Sequence, residues 1–128
     1  MINPGSLHLQ KALECLDGAQ SEAANRRFNN VANRAYYSAF LAAIYALTQA
    51  GIQPQGSQWS HEAVPAAFAG QLINRRKLYS ADRRTDLDQL HQLRIKADYR
   101  DDLVTEREAR RALGRAQAFL SEIQTRGG

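Results

Sequence analysis

A single cysteine, Cys15, in 128 residues leaves no partner for an intrachain disulfide, which fits a reducing compartment. On the first predicted helix it reads as a small, part-buried hydrophobe, not a reactive thiol. No apolar run is long enough to cross a bilayer. The longest, Ala35 to Leu47, is interrupted by Ser38 and falls short of the roughly 20 residues a membrane helix needs. The segment Met1-Ile2-Asn3-Pro4-Gly5 lacks the basic stretch and apolar core of a secretory signal. A soluble, cytoplasmic protein without a membrane partner is the expectation. The three histidines, His8, His61 and His91, show no ligand spacing with one another or with Cys15, so neither a metal nor another cofactor is expected.

Lysine is also scarce. Of 17 basic residues 14 are arginine and 3 are lysine, and the formal net charge is +4. Arginine pairs occur at Arg26-Arg27, Arg75-Arg76, Arg83-Arg84 and Arg110-Arg111. Arginine forks match phosphate geometry, so such pairs suit a phosphate-binding surface. Thirteen acidic residues interspersed among them favour the plainer reading of solvated helix faces.

No segment alternates like a half-buried strand; helical periodicity runs throughout. The spacing predicts an all-α, up-and-down bundle of about five helices in one domain, residues 1–128, with an ordered core at about 6–124. The first helix runs from about Ser6 to the Ala19–Ala24 region, with Leu9, Leu13 and Leu16 on its apolar stripe. The second, about Asn29 to Ala50, is apolar on nearly every side from Ala35 to Leu47 and is predicted to be central. Gly51 stops it. A shorter third helix fits His61 to Leu72, with Ser60 as a cap and Pro65 near its first turn. Asn74 to Lys77 reads as a basic connector. The fourth helix, about Ser80 to Ala97, carries Leu87, Leu90 and Leu93. In the fifth, Thr105-Glu106-Arg107-Glu108 is a capping box, followed by a seam of Ala109, Leu113, Ala116, Leu120 and Ile123. So apolar a second helix predicts a homodimer, with two copies completing its cover.

Two segments could carry chemistry. Arg34, Tyr37, Leu41, Tyr45 and Thr48 share a broad face of the second helix. On the fourth, His91, Arg94 and Asp98 fall at i, i+3 and i+7 beside the leucine stripe, at the margin of the core. Arg94 and Asp98 read equally well as an intrahelical ion pair, and Tyr36 and Tyr37 as core aromatics with a satisfied hydroxyl. His8 is expected to be solvated, and His61 to serve at the start of the third helix or in packing.

The segment Arg34-Ala35-Tyr36-Tyr37-Ser38-Ala39-Phe40, then His61 with Phe68, then Leu93-Arg94-x-x-Ala97-Asp98-Tyr99, then Ala109 to Ile123, resembles the HEPN superfamily, most closely its small stand-alone prokaryotic branch. The resemblance spans Leu7 to about Ile123. It implies a helical homodimer, often partnered by a minimal nucleotidyltransferase, in toxin–antitoxin or phage-defence systems. It further implies Tyr99 as the acceptor of modification by the partner. Arg34, Tyr37, Arg94, Asp98 and Tyr99 are expected to line a polar cleft that receives the phosphate of an RNA or nucleotide, with Arg34, Tyr37 and Arg94 binding it. Catalytic members are metal-independent ribonucleases marked by Arg-x(4–6)-His. Here Arg94 is followed by Asp98 and Tyr99, with no later histidine. Arg84-x(6)-His91 matches the pattern formally but lies before the expected position.

Chemically, RNA cleavage by the 2′-hydroxyl needs a base, an acid and a cation for the phosphorane charge. Arg94 supplies the cation, and Asp98 and Tyr99 are weak proton-transfer groups, with His91 the alternative. The leading expectation is therefore a phosphate-binding HEPN module. Its rivals are an active ribonuclease and a purely structural oligomerisation protein.

Overall fold

The computed structural model describes residues 6–126, and every regular element in them is helical. α1 is Ser6–Ala24, α2 Phe28–Gln49, α3 Ala63–Ala67 with a π-helical continuation Phe68–Arg75, α4 Asp86–Tyr99 and α5 Glu106–Arg126. A single 3₁₀ turn, Ala81–Arg83, precedes α4.

α2 lies at the centre because it is apolar on nearly every side from Ala35 to Leu47. Thirteen of its residues are buried, among them Val31, Tyr36, Phe40 and Leu47. α1 contributes Ala12 and Ala19, α3 Val64, its continuation Phe68 and Leu72, α4 Leu87 and Leu90, and α5 Phe119, Leu120 and Ile123 to the same core. A fully buried Leu or Phe stabilises the fold by roughly 1.5–3 kcal/mol, so this set fixes the packing. The chain's own helices thus cover α2, and a second copy is not needed for that purpose.

The helix ends follow local chemistry. Gly51, at φ +77°, closes α2 in a Schellman motif: its N–H donates to Thr48 O at 3.0 Å and that of Ile52 to Leu47 O at 2.9 Å. Ser60 Oγ accepts the Ala63 N–H at 2.9 Å. The capping box of α5 is complete: Glu108 N–H donates to Thr105 Oγ1 at 3.1 Å, and Thr105 N–H to Glu108 Oε1 at 3.0 Å.

Three expectations need correction. The third helix is α-helical only over Ala63–Ala67. It then widens, so that Phe68, Leu72 and Ile73 all reach the core, and it absorbs the first half of the expected basic connector. The fourth helix starts at Asp86 instead of Ser80, because Ser80 is held elsewhere: its N–H and hydroxyl donate to Glu122 of α5 at 2.5 and 3.1 Å. Glu122 thus ties the start of the α4 segment to α5 in a part-buried network. His8, expected in solvent, is half-buried.

Asp86 is 2% exposed, with Arg83 Nε at 3.2 Å and Arg115 Nη1 at 3.6 Å. Its Oδ2 and Arg83 Nε nevertheless lie without an aligned hydrogen bond, and desolvation outweighs the two arginines and raises the carboxyl pKa. A raised carboxyl pKa means that the folded state holds the proton at pH values where the unfolded state has lost it. Asp86 therefore costs stability once pH rises through its folded value. Asp86→Asn should melt above the wild type at pH 7, and the gap should shrink on acidification. Thermal melts at the two pH values check this.

Candidate functional site

α2 and α4 present facing stripes, Asn33-Tyr36-Tyr37-Phe40 and His91-Arg94-Asp98, at one-turn spacings, and the start of α3 brings His61 between them. The Asp98 carboxylate is the hinge of the polar half. Its Oδ2 accepts Arg94 Nε at 3.0 Å and Asn33 Nδ2 at 3.0 Å, so one acceptor ties α4 to α2. Among the described residues the Arg94 guanidinium hydrogen-bonds only through Nε, leaving its terminal nitrogens as donors. Its Cζ lies 5.2 Å from the Tyr37 ring centroid and 5.8 Å from those of Tyr36 and Tyr99. The side chain of Arg94 is 16% exposed, a semi-desolvated cation on an aromatic bed.

The aromatic half stacks. Tyr36 lies 5.0 Å from His91 with ring planes 22° apart, and His91 lies 5.8 Å from His61 with planes 11° apart. Phe40 backs His61 at 4.7 Å. The Tyr36 hydroxyl makes a short hydrogen bond to His61 Nδ1. Burial, opposed by the Arg94 charge, pushes the Tyr36 hydroxyl up to about 12, so it stays protonated. Desolvation, then the positive charges of Arg94 and His91, lowers the His61 pKa, which keeps its imidazole neutral near pH 7. A phenol hydroxyl can donate or accept, so Tyr36 can hold either neutral tautomer of His61.

The structure brings Arg94, Asp98, Tyr99, Tyr37 and His91 into one cluster. It does not bring Arg34 there. That side chain crosses α1 over Gly18, where an added Cβ would sit 3.5 Å from Arg34 Cδ, and its charge acts on the Cys15 thiol, whose pKa burial raises. Arg34 turns toward α1 because Tyr36 and Tyr37 occupy the face toward α4. Arg84 bonds Asn74 at the end of the π-helical segment, whereas His91 stacks on Tyr36, so the two residues of the formal Arg84-x(6)-His91 pattern have different partners. Tyr36, His61 and Asn33 are members that the site reading missed. The one-turn spacing of Asn33 and Tyr37 offered a signal; His61 lies 21 residues beyond Phe40 and 30 before His91, and no periodicity links it to either stripe.

The family profile of the HEPN domain matches residues 6–126. The chain belongs to the HEPN domain family. Nearly the whole bundle is thus one HEPN domain, and membership supports a nucleotide- or RNA-related module in general. No curated protein matches the chain. Within this HEPN domain no group of three or more metal-ligating side chains occurs among the described residues, and no described helix is long and apolar enough to cross a membrane.

Proposed function

We propose that this HEPN domain binds the phosphate of an RNA or nucleotide at Arg94, as the module of a toxin–antitoxin or defence pair with a minimal nucleotidyltransferase. The observation that carries the reading is the half-buried guanidinium. Asp98 and the tyrosines fix its orientation, while its terminal donors remain unspent. A structural ion pair needs no such aromatic bed, whereas an anion site gains from a desolvated, pre-oriented fork. Tyr99, 71% exposed beside that fork, is the acceptor on which the partner would act: its hydroxyl is accessible and a phosphate-bearing donor would be drawn to Arg94. The domain acts as a homodimer in this reading, supported by the exposed Leu103 just beyond α4.

Titration of a labelled short single-stranded RNA at low and physiological salt tests the phosphate reading. Affinity should fall steeply with salt, because arginine–phosphate contacts release counterions, and a chelator should change nothing. Salt-independent binding, or loss on chelation, contradicts it. Co-expression with a minimal nucleotidyltransferase should add a nucleotidyl mass that Tyr99→Phe abolishes, and light scattering at tens of micromolar should give the dimer mass.

A second reading, metal-independent ribonuclease, is favoured by the two stacked histidines beside Arg94. The pair supplies the base and acid that Asp98 and Tyr99 supply poorly. Neutral His61 takes the 2′-hydroxyl proton while that oxygen bonds to phosphorus. Protonated His91 returns a proton to the departing 5′-oxygen, leaving a 2′,3′-cyclic phosphate, and Arg94 holds the phosphorane charge.

A further inference from the structure

Between the loop that follows α2 and the outer face of α3 lies a groove of about 450 Å³ lined by Ile52, Gln53, Gln55, Trp59, Gly70 and Gln71, with three alanines of α3 as its floor. The volume is in the range of small-molecule sites. Four other surface cavities are each lined by two or more ionic side chains, while this one carries none. Its contents are one flat aromatic wall and three carboxamides. Trp59 is half-buried and packs against the core, which holds the indole in place. Among the described residues the amides of Gln53 and Gln55 make no hydrogen bond, and Gln71 spends only its oxygen, on Arg75 Nη1 at 3.3 Å.

A neutral, planar, heteroaromatic ligand fits that chemistry. Its face would stack on indole, and its edge would present the alternating donors and acceptors that a carboxamide matches. No cationic side chain lines the groove for an anion, and a purely aliphatic ligand would strand the amides. We propose that this groove is a nucleobase subsite, which seats one base of the RNA or nucleotide whose phosphate Arg94 holds.

The inference rests on the phosphate reading for its physiological ligand, but the groove's affinity for a base does not. Proximity supports the link. Trp59 precedes His61 by two residues, at most about 7 Å of chain, and His61 hydrogen-bonds the hydroxyl of Tyr36, whose ring Arg94 overlies. The small residues of α3 leave room for the base, and a Cβ on Gly70 would meet nothing within 4 Å. Gly70 therefore accepts a side chain at its Cβ position, and Gly70→Leu adds bulk to the groove lining.

Trp59 is the chain's single tryptophan, so its fluorescence reports the groove alone. The full-length protein is titrated with adenosine, guanosine, cytidine and uridine, with ribose as control and free tryptophan correcting for absorbance. At least one nucleoside should quench saturably, with half-saturation on the order of 1 mM. The curve should be unchanged by salt or by Arg94→Ala and weakened more than about tenfold in Gly70→Leu. Short RNA should bind about tenfold more weakly to Trp59→Ala and nearly normally to Trp59→Phe. Linear, unsaturable quenching by all four nucleosides, or saturation that Gly70→Leu leaves intact, overturns the subsite. If that happens while RNA binding still depends on Arg94, the subsite alone falls. Saturable quenching with RNA binding indifferent to Arg94 sinks the phosphate reading and leaves the subsite standing.

Discussion

Arg94→Ala should weaken binding of a short single-stranded RNA by about 10- to 100-fold, the equivalent of one or two lost charge-assisted hydrogen bonds. The same variant should lower folding stability by less than about 1 kcal/mol. The two magnitudes separate because of how Arg94 is held. Its tie to the protein is one partly exposed ion pair at 3.0 Å and ring contacts, while Asp98 keeps the Asn33 amide as a partner and is not orphaned. Toward a phosphate, by contrast, the terminal nitrogens are the free donors of the cluster. Arg94→Lys should recover little, since an ammonium cannot make the fork or lie flat against Tyr37. Fluorescence anisotropy with labelled RNA and thermal melts of the same preparations check both halves. RNA affinity intact in Arg94→Ala, with the fold unaffected, would return Arg94 and Asp98 to a purely structural role.

How much of this was legible in the sequence depends on the range over which the determining contacts act. The bundle was, because apolar spacing, Gly51, Ser60 and the Thr105–Glu108 box act within a few residues. The Arg94–Asp98 pair was, because one turn of helix separates them. The centrality of α2 followed from its composition, but the inference that it needs a second copy did not survive, since α1, α3, α4 and α5 cover it. The π-helical segment was hidden because nothing in Phe68–Arg75 demands it locally; the demand comes from placing Phe68, Leu72 and Ile73 in one core. Arg34 was misplaced for a related reason. Residues three apart share a broad helix face, yet the crossing of α1 over α2 divides that face between Arg34 and Tyr37. His61 reaches the cluster only through the loop after α2, a contact no periodicity encodes.

In the ribonuclease reading, the largest effect falls on the histidine pair. If the domain cleaves RNA without metal, His61→Ala and His91→Ala should each lower the rate by about 10²- to 10⁴-fold, and the double variant should be little worse than either alone, since acid and base act in one step. Cleavage should persist in chelator. Because desolvation, Arg94 and His91 lower the His61 pKa, its base form survives further into acid than that of a free histidine. The limb of the pH–rate profile that falls on acidification should therefore have its midpoint below the ordinary value of about 6.5. Tyr36→Phe separates proton chemistry from packing: it keeps the ring that His91 and Arg94 lie against and removes only the hydroxyl bound to His61. It should slow cleavage and move the acidic limb. If the histidines merely pack, Tyr36→Phe and His91→Ala shift the melting temperature alone, and wild-type protein leaves RNA intact at every pH. That outcome removes the enzyme and retains the binding module, because the Arg94 fork needs neither histidine to hold a phosphate.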